Sequence, residues 1–374
     1  MKFVRPYVCV AVVVTLILCW EYSRLTSDDI KYSKSLENQP RYEMKPAKFT
    51  TYMNTSGSEI KLHIGSQNIR GISKEVQNFQ ELAAIFQTPW KANTSNVRQL
   101  RNGIAKSIYA AEMVLTQSNV QPFENISYAS GDSIRKLSTE FYNMLPKASP
   151  FQRMYKRCSV VGNGGILRGS KCGNEIDRSD FVIRCNAPPI HQFSDDVGVK
   201  SNVTTVNPSI IIKKFGLLRQ EKEQSLFIKS MQQYVNYIWF PIFRNGYSYK
   251  PSLKANYQIY HQSPKHCNNS VKVLNGNPNH FRRINRYWKK IANFRKVLSS
   301  GFYFATSAVL LCEEIHLYGF WPFYTDIHNR PLSYHYYENA TLVKYAHEFG
   351  KEFMELIRLH RDGILQLHVD KCYP

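Results

Sequence analysis

What the chain lacks narrows its chemistry first. None of its eight cysteines forms a C-x-x-C, which argues against a zinc ribbon or a thioredoxin-like redox centre. There is no D-x-D, so no obvious carboxylate pair awaits a nucleotide-bound cation. The zincin pattern H-E-x-x-H fails at His347, because Lys351 stands where the second histidine belongs. No internal repeat is visible. Acidic residues are also scarce. The 28 Asp and Glu face 49 Lys and Arg, leaving a formal net charge of +21. A balance this basic favours an anionic partner: nucleic acid, an acidic membrane or an acidic substrate.

The N-terminus bears on which of these applies. Lys2 and Arg5 precede an uncharged apolar run, Tyr7 to Trp20. The run is shorter than the ~20 residues of a typical spanning helix. The residues after it, Glu21 to Leu25, offer no small-x-small cleavage site. It reads as an uncleaved signal anchor over 7–20 with a cytoplasmic tail of residues 1–6, a cleaved signal being the alternative. Six N-x-[ST] sequons, at Asn54, Asn93, Asn125, Asn202, Asn268 and Asn339, agree with lumenal exposure; Asn207 is excluded by Pro208. The final DKCYP carries no retrieval signal. A lumenal location removes nucleic acid as the natural partner. Cys9 and Cys19 lie in the anchor. Cys158, Cys172, Cys185, Cys267, Cys312 and Cys372 would meet an oxidising compartment, and spacing alone does not pair them.

Residues 21–95 are polar and weakly periodic, and read as a stem with little fixed structure. Between Asn96 and Ser149, VRQLRNGIAKSIYAAEMVL has helical spacing interrupted by Gly103. From Cys158 short strands (CSVVGN, DFVIRCN, SNVTTVNPS, YIWFPIF, HLYGFWPF) alternate with helical segments such as GFYFATSAVLLCEE and KEFMELIRLHR. That alternation predicts an α/β domain with a mostly parallel sheet flanked by helices. Ligands in such sheets sit beyond the carboxyl ends of the strands, where Asn163, Asn186 and Asn207 fall.

The stretch SVVGNGGILRGSKCGNEID, Ser159–Asp177, is a strand running into a glycine turn. The dinucleotide fingerprint fails at Leu167, and the P-loop fails at Ser170, where lysine is required. What remains is a turn whose backbone N–H groups could meet an anion, or a plain tight turn.

Extended through RSDFVIRCNAPP and DVGVKSNVTTVNPS, that stretch resembles the large sialylmotif of animal sialyltransferases. LSSGFYFATSAVLLCEEIHLYGFWPF resembles the small sialylmotif, HYYE at His335–Glu338 the third, and HEFGKE at His347–Glu352 the last and shortest. All four occur in family order. RCNAPP, NPSII, GFWPF, HYYE, Cys172 and Cys372 point to the α2,8 branch. The resemblance implies transfer of sialic acid from CMP-sialic acid to a sialylated glycan on a glycoprotein or ganglioside. It implies a single Rossmann-like α/β catalytic domain over 96–374, inversion, no metal and no cofactor. It also implies a single-pass type II protein of the Golgi membrane, with its catalytic domain in the lumen.

By the same resemblance His347 is the general base. An imidazole, with an unperturbed pKa of about 6.5, suits proton removal from a sugar hydroxyl near neutrality. Glu352 takes a structural role. His335, with Tyr334, faces the donor phosphate and stabilises charge on the leaving CMP. Tyr336 and Tyr337 read as packing residues. Asn163, Asn186 and Asn207 contact CMP, an amide being both donor and acceptor. Ser299, Ser300 and Gly301 match the family's Ser-Thr-Gly, with Ser in place of Thr, and open a helix as an anion site. Trp321 packs on the nucleotide. Cys158 pairs with Cys312 and Cys172 with Cys372. Cys185 is then a buried thiol, and Cys267 is free or pairs between chains as a homodimer. The basic stretch His280–Lys296 is either a face for an anionic acceptor or a solvated helix. Two rivals remain open: an inactive sialoglycan-binding relative, and an α2,3- or α2,6-transferase.

Overall fold

The strands from Tyr155 onward build one sheet, preceded by a small antiparallel hairpin of β1 (Asn125–Ser127) and β2 (Ile134–Lys136). The sheet has seven strands: β3 (Tyr155–Val161), β4 (Phe181–Arg184), β5 (Val203–Thr205), β6 (Tyr237–Phe240), β7 (Lys272–Asn275), β8 (Cys312–Tyr318) and β9 (Gln366–His368). Their spatial order is β7-β6-β5-β4-β3-β8-β9, and every neighbouring pair is parallel. This computed structural model describes residues 79–372 apart from 107, 267–270, 329 and 339–346. The chain divides into Met1–Gly57 and Ser58–Pro374, and the described residues all lie in the second unit. The tail and anchor expected over 1–20, Cys267, and the sequons Asn54, Asn268 and Asn339 lie outside them. Among the described residues no helix is long and apolar enough to cross a membrane.

Both faces of the sheet are covered. Cys158 and Val160 of β3 pack in one core with Trp288, Phe302 and Phe353, while Val161 packs in another with Leu167, Phe227 and Tyr336. The period of two along a strand sends alternate side chains to opposite faces. Strands β4 and β5 are buried along their whole length, including Arg184, Thr204 and Thr205, so neither shows a solvent-facing alternation. Strand β3 is where the strand order reverses. The chain winds from it through β4 to β7 on one side and returns to β8 and β9 on the other. In open parallel sheets such a reversal of strand order is where ligands bind, beyond the strands' carboxyl ends.

Three expectations need correction. The stem expected over 21–95 ends sooner, because the helix Phe79–Gln87 buries Leu82 in the core and Trp90 Nε1 donates to the His360 carbonyl at 3.1 Å. Gly103 does not interrupt its helix, Thr94–Ala105; a Cβ there would lie 3.1 Å from the Tyr287 hydroxyl. In GFYFATSAVLLCEE the helix stops at Ser307, a 3-10 turn covers Ala308–Leu310, and Cys312 begins β8 against Tyr155.

Both expected disulfides are present. Cys158–Cys312 joins β3 to β8, with Cα atoms 6.0 Å apart. Cys172–Cys372 ties down the C-terminus, with Cα atoms 4.8 Å apart, and the Cys372 amide also donates to the Ser170 carbonyl. Closing loops this long contributes roughly 3–5 kcal/mol each on a chain-entropy account. Cys185 is a free buried thiol whose pKa burial pushes up to about 12.

Three buried histidines and the half-buried His368 give the fold a pH dependence. Burial pulls His280, His316 and His368 down to about 3 and His360 to about 4. An unfolded histidine titrates at about 6.5, so the unfolded chain binds more protons below that pH. The stability these groups contribute is present above pH 6.5 and is lost as pH falls toward 3. Urea unfolding should therefore show a loss of about 3 kcal/mol or more between pH 7 and 4.5. An unchanged urea midpoint over that range would contradict the assignment.

Candidate active site

The glycine turn closes the carboxyl end of β3, and its backbone shows why glycine is needed. The amides of Gly162, Gly164 and Gly165 donate to the carbonyls of Tyr318, Gly319 and Tyr334, at 2.7, 3.0 and 3.2 Å. A Cβ on Gly162 or Gly164 would lie 2.7 Å from the Gly319 carbonyl oxygen, and one on Gly165 only 1.8 Å from that of Ser333. The glycines let three backbone segments touch. Their N–H groups are committed to protein carbonyls, so the turn is not the anion nest that the sequence suggested. What it offers instead is Asn163. The backbone carbonyl of Asn163 accepts from Tyr336 N at 3.1 Å, while its Oδ1 is buried without a hydrogen-bond partner. A buried polar atom left unpaired carries a desolvation cost, as expected where a ligand supplies the missing donor.

The third motif docks on this turn. His335 bridges Gly164, and its ring lies against Tyr334 and Tyr337 at centroid distances of 4.3 and 5.0 Å. His335 Nδ1 is 2.8 Å from Glu338 Oε1. Burial raises the pKa of Tyr334 and takes Tyr337 well above the ordinary phenol range. Tyr336 is fully buried and its hydroxyl donates to the Pro189 carbonyl, a packing role.

On the other side a chain of polar groups crosses the strand ends. Asn186 follows β4 with φ +62°, a left-handed conformation that asparagine tolerates better than most residues. Its amide donates to Thr205 Oγ1 at 2.8 Å, and its Oδ1 accepts from Asn207 N at 3.0 Å. Asn207 Oδ1 accepts from Ser300 Oγ at 2.9 Å.

Ser299 caps the helix Ser300–Ser307 by accepting from Phe302 N. Its hydroxyl and amide both donate to Glu352, at 2.6 and 2.7 Å. Ser299 is therefore placed as a support, and the helix start expected as an open anion site is already engaged by this carboxylate. Burial, opposed by Ser299 and by Arg244, raises Glu352 to about 7. Gly301 is half-buried, and a Cβ there would lie 3.1 Å from the Phe320 ring. Trp321 is no open platform: its ring is 6% exposed, packs on Phe323 and Phe353, and its Nε1 donates to the Thr325 carbonyl.

His347 stands just before the helix Phe349–Arg361 and is half-buried. Its Nδ1–H donates to the Val297 carbonyl at 2.7 Å. A donated Nδ1–H leaves Nε2 as the ring's lone-pair nitrogen. Burial, then the charge of Arg244, pull His347 down to about 4, and the Val297 hydrogen bond works the other way. The imidazole is neutral near pH 7, with its acceptor nitrogen fixed. Arg244 is the site residue that sequence reasoning missed. It follows β6, outside every motif, and only its place just past a strand's carboxyl end could have flagged it.

Among the described residues one group could suggest a metal: Glu175, His368 and Cys372, whose ligand atoms lie within 4.8 Å of one another. Cys372 is bonded to Cys172 and has no thiolate to offer.

The strand ends thus carry an orphaned asparagine oxygen and a hydroxyl–amide chain, and a neutral histidine precedes the C-terminal helix, groups suited to acid–base group transfer. The model of glycosyltransferase family 29 (sialyltransferase) matches residues 106–364, and the chain belongs to that family. It is 38% identical over 262 residues to a Xenopus laevis protein named alpha-N-acetylneuraminide alpha-2,8-sialyltransferase, covering 69% of this chain and 71% of that one. It is 33% identical over 327 residues to a human protein named alpha-2,8-sialyltransferase 8E, covering 86% and 85%. Among solved structures, a mammalian sialyltransferase aligns over 80% of this chain and 87% of its own, at 17% identity and a TM-score of 0.41.

Proposed function

We propose that this protein transfers sialic acid from CMP-sialic acid to the 8-hydroxyl of a terminal sialic acid on a glycoprotein or glycolipid glycan. His347 Nε2 takes the hydroxyl proton as O8 attacks the anomeric carbon of the donor. The bond from that carbon to the phosphate oxygen breaks, and CMP leaves with the electron pair. Attack from the opposite face inverts the centre. His335 and Tyr334 face the phosphate, where a donor stabilises the growing charge. Asn163, Asn186 and Asn207 hold the nucleotide. The carrying observation is His347 itself, neutral and with its tautomer set by Val297. The names of the relatives support the α2,8 linkage.

The basic stretch supports an anionic acceptor. The helix Pro278–Ala292 buries Phe281, Ile284 and Trp288 and leaves Arg286, Lys289 and Lys290 exposed. Exposed Arg295 and Lys296 continue the strip toward His347. The apolar run Tyr7–Trp20 behind Lys2 and Arg5 supports a single-pass type II anchor in the Golgi membrane. Exposed Asn93 and Asn125 are open to glycosylation, whereas Asn202 is half-buried with its Oδ1 accepting from Val182 N. Homodimer formation through Cys267 would show as a doubled mass on a non-reducing gel.

Purified enzyme given labelled CMP-sialic acid and an acceptor panel, read by mass spectrometry, tests the reaction and reports chain length. Activity should survive EDTA; a strict Mn²⁺ or Mg²⁺ requirement would overturn the metal-free mechanism. Asn163→Ala should weaken CMP binding by about tenfold or more, as one hydrogen bond is lost, without lowering the melting temperature. A folded Asn163→Ala protein with unchanged CMP affinity would remove Asn163 from the donor site.

A further inference from the structure

The structure assigns Arg244 as a positioning residue for the catalytic base, holding the helix-to-helix segment on which His347 is oriented and setting a fixed positive charge beside it. This inference rests on His347 being the base. Residues 295 to 300 are gripped in sequence from two sides. From the C-terminal helix and its approach, Glu348 accepts from the amides of Arg295 and Lys296, at 2.6 and 3.0 Å. His347 donates to the Val297 carbonyl, and Glu352 accepts from Ser299. From the loop after β6, Arg244 Nη2 donates to the Leu298 carbonyl at 2.6 Å, and Nη1 reaches Ser300 Oγ at 3.4 Å. The carbonyls that receive His347 and Arg244 therefore belong to consecutive residues. Moving Leu298 moves Val297, and with it the hydrogen bond that fixes the imidazole tautomer.

Arg244 is itself held in place. Its guanidinium carbon sits 4.9 Å from the centre of the Phe281 ring. Its own carbonyl accepts from Ser130 N at 3.0 Å, and its amide donates to the Pro241 carbonyl. Burial lowers its pKa to about 10 and the Glu352 charge opposes that, so it stays a cation at neutral pH. The charged groups around His347 come from three elements. Arg244 comes from the β6 loop, Arg295 and Lys296 from the clamped segment, and Glu348, Lys351 and Glu352 from the C-terminal helix and its approach. Glu348 is paired with Lys351 at 3.0 Å, and Glu352 is held by Ser299. Arg244 and Lys296 both disfavour the imidazolium form. Added to burial, the larger cause, they keep the base unprotonated near neutral pH. The negative charge of a bound CMP-sialic acid would offset these cations, so that basicity rises when the donor is in place.

The test is the pH profile of kcat/KM for full-length Arg244→Gln and Arg244→Lys proteins, with CMP affinity and melting temperature as controls. Arg244→Gln removes the cation. Its acid limb should move to higher pH by about one unit, with a lower plateau. Arg244→Lys keeps the charge but loses the forked contact to Leu298 and Ser300. Its acid limb should stay, and only kcat should fall. A folded Arg244→Gln enzyme whose activity drops equally at every pH, or does not drop, would overturn the inference. Should Arg244→Gln fail to fold, an acid limb in Arg244→Lys displaced to higher pH would overturn it as well. A His347→Ala enzyme that stays active would instead remove the base reading, so the two failures are separable.

Discussion

His347→Ala is expected to abolish sialyl transfer while CMP binding persists. Loss of a positioned general base typically costs about 100- to 10,000-fold in rate. The loss should fall on kcat, because the side chain makes one hydrogen bond, to Val297, and the asparagines proposed to hold the nucleotide follow strands β3, β4 and β5, away from the C-terminal helix. His347→Gln sharpens the test. Its amide can still donate to Val297 but offers no basic nitrogen, so it should be as inactive as alanine while keeping the fold. Isothermal titration with CMP, beside a transfer assay, separates the two effects. Substantial turnover in either variant would remove His347 from the mechanism.

Gly165→Ala is expected to be nearly as severe by a different route. The added methyl would sit 1.8 Å from the Ser333 carbonyl oxygen, a backbone atom that no rotamer change can clear. The third-motif segment would have to lift from the turn, breaking the Gly165–Tyr334 hydrogen bond and displacing His335, which bridges the adjacent Gly164. CMP binding should fall at least tenfold, and the melting temperature should drop by several degrees, as a loss of about 1–3 kcal/mol requires. By contrast Gly169→Ala, at a position with open space but φ +74°, should cost stability at the turn without touching CMP affinity. Equal CMP affinity in Gly165→Ala and wild type would contradict the packing account.

The alternation of short apolar strands with helices made the α/β class legible, and β3 to β6 stand where CSVVGN, DFVIRCN, SNVTTVNPS and YIWFPIF placed them. The four sialylmotif resemblances led to the family and to both disulfides. Other parts were illegible for physical reasons. Strand β7 lies in a short, mixed stretch after Val271, and β9 has only three residues, Gln366–His368, too few for periodicity to register. Glycine in a turn signals both phosphate cradles and close backbone approach, and only the partner atoms, Gly319 and Ser333, separate the two. Ser299 and Trp321 carried the right residue types for ligand contact, yet Glu352 and the Phe323–Phe353 cluster claim them in the fold. Arg244 was invisible because its role depends on Leu298 and Ser300, more than fifty residues away in sequence.

The most direct measurement is the linkage of the product. The purified enzyme, with CMP-sialic acid and EDTA, is offered a glycan ending in sialic acid and the same glycan ending in galactose. Products are digested with linkage-specific sialidases and read by mass spectrometry. A metal-independent α2,8-disialyl product from the first acceptor alone is the expected result. Sialic acid added to galactose, or no transfer to either acceptor, would contradict it.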